Sequence, residues 1–283
     1  MKNIKKAASL MKNAGAAFVH DNAFKLSASL SYYTIFALAP LLVIVMSLAG
    51  IVFGKVAVQG KLYKQLNQLI GNAAALQIEE IIKNITQTHA TTAGAVIGAV
   101  ILAIAATGVF TEMQDSINYI WSVKAKPKKG WLKFLFNRLI SFSLVIGLGF
   151  LLLVSLIVNA ILALLSKQLL KIFPDYTVLF FNVLNSVIIL IVITGLFAVI
   201  FKVLPDAIIS WKDAIIGAVV TALLFLLGKF LIGFYLGRSN LGITYGAAAS
   251  IIIILSWVYY SALILYFGAE FTKIYALQAG EGI

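Results

Sequence analysis

Cysteine is absent from the 283-residue chain, which excludes disulfide bridges and thiolate metal sites. Histidine occurs only at His20 and His89, both outside the long apolar runs, so no histidine-based metal centre is expected within the apolar runs. Charge is scarce as well. Asp, Glu, Lys and Arg together make up 11% of the residues, against about 25% in soluble domains. No GxxxxGK[ST] phosphate loop is present, so ATP-driven transport by this chain alone is not expected. The 4 Pro and 21 Gly are ordinary, and the low hydrophobicity that marks disorder is missing. Apolar residues fill the remainder, at 62% of the chain with a mean hydropathy of +1.03. So few charges cannot cover that much apolar surface in water. The composition excludes an ordinary soluble enzyme and points to a polytopic membrane protein.

A helix needs about 20 apolar residues to cross the hydrocarbon core. Six stretches meet that length, at approximately 27–53, 93–111, 139–165, 178–201, 214–236 and 245–269. Their polarity does not alternate with period two, so a membrane β-barrel is excluded. The expected fold is therefore all-α: a single domain over 1–283 built as a bundle of six transmembrane helices. Residues 1–26 are studded with Lys and too polar for a signal-peptide core. They read as an interfacial amphipathic helix, with Ile4, Ala8, Met11 and Phe18 on one face. The segment 54–92 is expected to form a short helical loop on the outer face. It would cap the bundle or meet an envelope protein partner.

The net charge of +12 raises nucleic acid as a partner. Membrane lipid is the better reading, because no basic domain lies clear of the apolar runs. Fourteen of the 22 Lys and Arg fall before the first span, between the second and third, between the fourth and fifth, or after the sixth. That bias predicts that both termini are cytoplasmic.

Polar groups within the apolar runs are the functional candidates, because each charge at mid-helix costs about 2.5–3.5 kcal/mol on insertion. Lys229 is the deepest, and Arg238 and Tyr245 follow it. Ser27, Ser31 and Thr34 share a helical face ahead of Pro40 and line either a path or a helix–helix seam. Glu112, Asp115, Asp206, Asp213 and Glu270 collect at the cytoplasmic ends. There they either form structural ion pairs with nearby bases or handle a proton or cation. Gly233 and Gly237 form a GxxxG pair that predicts close helix packing.

The runs ASLSYYTIFALAPLL (28–42), FTEMQDSINYIW (110–121), RLISFSLVIGLGFLLLVSL (138–156), PDAIISWKDAIIGAVVTALLFLLGKFLIGFYLG (205–237) and YGAAASIIIILSWVYYSALILYFGAEFT (245–272) resemble the YihY/BrkB family of bacterial membrane proteins. The family's usual YGAAGS reads YGAAAS here, with Ala249 in place of Gly. The resemblance implies a bacterial inner-membrane protein of six transmembrane helices, associated with virulence. It supplies no agreed active site. Members have carried a ribonuclease BN label, which the missing hydrolytic residues of this chain argue against. The leading expectation is a transporter-like protein, not an enzyme, that moves or redistributes an amphiphile or anionic lipid through Lys229, Arg238, Tyr245 and the Ser/Thr face. The alternatives are a cation/proton antiporter using the five carboxylates and a non-transport envelope scaffold. No cofactor is expected, and the oligomeric state is open.

Overall fold

The computed structural model describes residues 2–37, 67, 72–87, 108–123, 174–239, 244–245 and 248–283. Among them the regular structure is helical throughout. The helices are α1 (Lys2–His20), α2 (23–37), α3 (Asn72–Gln87), α4 (108–120), α5 (Pro174–Val203), α6 (Trp211–Arg238) and α7 (Ala249–Ala279). Three of them, over Val183–Val203, Trp211–Leu236 and Ala249–Ala279, are long and apolar enough to cross a membrane. They coincide with the last three expected spans. The span expected at 139–165 lies outside the described residues. Those at 27–53 and 93–111 enter them only as 27–37 of α2 and the start of α4.

The boundaries have local causes. Pro205 cannot continue α5, and a short connection over 204–210 returns the chain as α6. Ser210, in extended backbone, caps α6 by accepting the Asp213 N–H at 3.1 Å. Lys202 donates to the Ile209 carbonyl and stands over the Trp211 ring, fastening the turn. Helix α7 runs ten residues beyond the expected end at 269, because its last turns are packed by other elements rather than by lipid. Its buried residues there include Phe271, Thr272 and Ala276.

Helices α6 and α7 meet through a seam of small residues. A Cβ placed on Gly217 would stand 2.8 Å from Cβ of Thr272, and one on Gly268 would stand 2.9 Å from Cβ of Thr221. The two Gly–Thr pairs thus interlock reciprocally, each Gly making room for the Thr of the other helix. Both hydroxyls turn back to their own helices, Thr221 to the Gly217 carbonyl at 2.7 Å and Thr272 to the Gly268 carbonyl at 2.6 Å. Neither threonine hydroxyl is left without a partner. Among the described residues nothing lies within 4 Å of a Cβ added at Gly233. Gly233 is on a different face of α6 from the one that meets α7.

Helix α1 packs on α6 and α7. Leu10, Ala14 and Phe18, spaced i, i+4, i+8, bury against Phe267, Phe271, Ile274 and Tyr275 of α7 and Ile216 and Val220 of α6. Ala8 and Met11, expected on the same apolar face as Phe18, are exposed and not part of this packing. The packed stripe is the one on which small Ala14 lets the two backbones approach. The chain then turns at Asp21–Asn22, with Asn22 at φ 54°, a left-handed conformation that asparagine tolerates. Lys25 and Leu26 therefore belong to α2 rather than to the N-terminal helix. The main core, with Ile117, Ile120, Phe201, Leu204, Ile209, Ala214 and Tyr266, sits where the ends of α4, α5 and α7 meet the start of α6.

Candidate functional site

Glu270 lies on α7 within the candidate span, one turn after Tyr266, and it is 0% exposed. Among the described residues, no hydrogen-bond donor reaches either of its carboxylate oxygens. The elbow between α1 and α2 brings the Asp21 carboxyl beside it. Asp21 is held in turn by its neighbours. His20 Nδ1 is 2.8 Å from Asp21 Oδ1, and Lys273 Nζ is 4.0 Å from Asp21 Oδ2. Lys273 also donates to the carbonyl of Ile120, at the end of α4. Trp121 closes the other side, its indole N–H donating to the Ala269 carbonyl at 3.0 Å.

The walls of this site follow from how α4 ends. Ser122 adopts φ 57°, and the Val123 N–H returns to the Asn118 carbonyl at 2.8 Å, a left-handed stop of the Schellman type. That stop turns Trp121 and the Ile120 carbonyl toward α7. Tyr266 is buried, with Ser116 and Glu112 of α4 nearby. A carboxylate without donors in a dry interior is costly. Two carboxyls in contact are relieved when they share one proton, because the bound proton supplies the missing donor and removes the repulsion.

The other expected carboxylates are placed differently. Asp213 is buried at the start of α6, where its Oδ2 accepts the Glu281 N–H at 2.9 Å, tying down the C-terminal tail. Asp206 is engaged twice by Asn118 of α4. The Asn118 amide donates to Asp206 Oδ2 at 3.0 Å, and the Asp206 N–H donates to Asn118 Oδ1 at 2.8 Å. Glu112 is half-buried and Asp115 exposed on α4. Asp206, Asp213 and Glu270 thus share one end of the bundle, while their hydrogen-bonding partners differ.

The basic candidates are not gathered. Lys229 is half-buried on α6, and Arg238 is exposed at its end with its guanidinium 4.0 Å from the centre of the Phe234 ring. Because α6 is continuous through both, nine residues put them on opposite faces, about 13.5 Å apart along the axis. Tyr245 is exposed. Ser27 and Ser31 are buried and Thr34 half-buried on α2. Their hydroxyls donate to the carbonyls of Ala23, Ala28 and Leu30. Of the loop 54–92, the described portion is residue 67 and α3, which packs on α6 and α7. Among the described residues no three His, Asp or Glu side chains converge as metal ligands.

Sequence reasoning overlooked Asp21, His20, Tyr266 and Trp121. The Asp-Asn dipeptide after an amphipathic helix is a turn signal that marks the elbow. Nothing local in the chain says that the elbow folds onto Glu270.

Residues 14–282, nearly the whole chain, match the family described as Virulence factor BrkB. The chain belongs to the BrkB family. Similar to this BrkB-family chain are proteins named UPF0761 membrane protein from three bacteria. That of Tolumonas auensis is 28% identical over 265 residues, covering 89% of this chain and 80% of the relative. That of Psychromonas ingrahamii is 29% identical over 261 residues, covering 89% and 82%. The Alcanivorax borkumensis protein is 27% identical over 270 residues, which span 90% of this chain but 58% of the relative. No solved structure matches the chain. The names of these relatives indicate membrane proteins and no catalytic activity. This BrkB-family chain is accordingly an integral membrane protein.

Proposed function

We propose that the chain is a proton-coupled cation transporter of the bacterial inner membrane, with six spans, both termini cytoplasmic, and Glu270 as the coupling carboxyl. The observation that carries this reading is the fully buried Glu270 carboxylate facing Asp21, with no donor among the described residues on either oxygen. Ionisable groups kept inside a membrane helix mark ion and proton pathways. The charge arithmetic suits exchange. Asp21, Glu270 and Lys273 sum to −1 when both carboxyls are ionised and to zero when one proton is bound. A monovalent cation at the pair restores the same balance, so proton and cation compete for one site.

The test is a sealed vesicle containing the purified chain and an imposed pH gradient. Addition of Na⁺ or K⁺ is expected to dissipate the gradient, and Glu270→Gln to abolish that response. An unchanged response in the variant, or none in the native chain, rejects the reading.

Movement of an anionic amphiphile is the second reading. It is supported by Lys229, half-buried within an apolar span, beside the exposed apolar surface of Phe230, Leu231, Phe234 and Tyr235. Since Lys229 and Arg238 face opposite ways, they would meet a headgroup at two successive levels rather than clamp it together. Transbilayer movement of a fluorescent anionic lipid, read with an impermeant quencher, is then expected to fall in the Lys229→Leu variant. Unchanged movement rejects this role.

A further inference from the structure

We infer that the His20–Asp21 elbow is the proton port of Glu270, through which protons pass between water and the buried carboxyl. The inference rests on the proton-coupled reading above and extends it from the binding group to its route.

Exposure falls stepwise along three groups. The His20 side chain is 87% exposed and that of Asp21 16%, while Glu270 is 0% exposed. His20 Nδ1 is 2.8 Å from Asp21 Oδ1, and Asp21 Oδ2 is 4.0 Å from Nζ of Lys273, one turn along α7 from Glu270, which sets the Asp21 carboxyl beside that of Glu270. The elbow is also held in place. Asp21 N–H donates to the Ala17 carbonyl at 2.8 Å and Asn22 N–H to the Val19 carbonyl at 3.2 Å, so the carboxyl is presented by fixed backbone.

Among the described residues, the polar and titratable groups on the elements packed around Glu270 leave this route as the natural one. Helix α7 itself contributes Lys273, anchored to the Ile120 carbonyl, and Tyr266, buried beside Ser116. Helix α4 contributes Glu112, on the Tyr266 side, and Trp121, whose N–H is committed to Ala269. Asp213 of α6 is occupied by the Glu281 N–H. The elbow contributes His20 and Asp21, the pair with a path to water. In the transfer, the His20 imidazolium gives a proton to the Asp21 carboxylate, and the Asp21 O–H gives its proton to the Glu270 carboxylate. Asp21 is returned to its anion, and neutral His20 takes the next proton from water. The net change is one proton moved from water to Glu270. Lys273, 4.0 Å from Asp21, balances the charge left when the proton departs.

The experiment follows the acid C=O stretch of the buried pair by infrared difference spectroscopy after a pH jump, using the full chain in lipid nanodiscs. Glu270→Gln identifies the band by removing it. Asp21→Asn is expected to slow its appearance at least about tenfold, the scale of a lost proton-relay group. His20→Ala is expected to slow it too, with the native rate recovered on adding imidazole to the buffer. Because His20 is a surface residue, that variant keeps the inference testable if Asp21→Asn fails to fold. Native rates in both variants overturn the port, as does the absence of any Glu270-dependent band. Parallel vesicle measurements separate the two claims. Glu270-dependent flux with band kinetics indifferent to Asp21 and His20 rejects the port alone. Elbow-dependent kinetics without Glu270-dependent flux reject the transport reading alone.

Discussion

Three carboxylates at one end of the bundle meet three different sets of donors, and this decides what each does. Asp213 receives the Glu281 N–H and Asp206 the Asn118 amide, so their charges are satisfied by hydrogen bonds of fixed geometry. Glu270 receives none among the described residues. Truncating the first kind leaves a donor stranded, whereas neutralising the second removes a burden. Asp213→Ala is expected to lower stability by about 1–2 kcal/mol, read as a lower thermal midpoint in detergent. Glu270→Gln is expected to leave the midpoint unchanged or raise it, while abolishing cation-dependent proton flux. A loss of stability in Glu270→Gln comparable to that of Asp213→Ala would show that the carboxylate has a structural role instead.

Among the elements, α6 and α7 approach closely because Gly217 and Gly268 each face a threonine of the partner helix. Gly217→Ala pushes a methyl into Thr272 and is expected to destabilise the bundle by about 1–3 kcal/mol, as overpacking does. Gly233→Ala meets no described neighbour within 4 Å and gains helix propensity, so it is expected to stabilise by up to about 1 kcal/mol. Thermal unfolding of both variants in one detergent separates the two outcomes. The link between α4 and the 204–210 connection rests on Asn118 and Asp206, whose double-mutant cycle is expected to show a coupling above about 0.5 kcal/mol. A coupling near zero would mean that the two hydrogen bonds contribute nothing to holding these elements together. The seam was visible in the sequence only as small residues spaced four apart. Spacing does not say which small residue faces which helix, and so the GxxxG pair at Gly233 drew attention while the Gly–Thr pairs did not.

For the whole molecule, the absence of cysteine makes topology measurable without background labelling. Cysteines placed singly at Glu80 and Ile283 are expected to differ. The first should react with an impermeant thiol reagent in intact cells, and the second only after the inner membrane is permeabilised. The reverse pattern would invert the orientation expected from the Lys and Arg bias. Hydropathy alone located α5, α6 and α7 to within a few residues at most ends, because crossing a membrane depends on composition summed over a local stretch. Charge bias is equally a matter of counting along the chain, and so is the family resemblance carried by its runs. Asp206, Asp213 and Glu270 were marked out for the same reason, since each falls near the end of an apolar run of the sequence. Their partners were not. Asp21 meets Glu270, Asn118 meets Asp206, Trp121 meets Ala269 and Asp213 meets Glu281 across long separations in sequence. Which donor reaches which acceptor depends on the rotation and crossing of packed helices. That packing leaves Asp213 and Asp206 satisfied and Glu270 facing a second carboxyl.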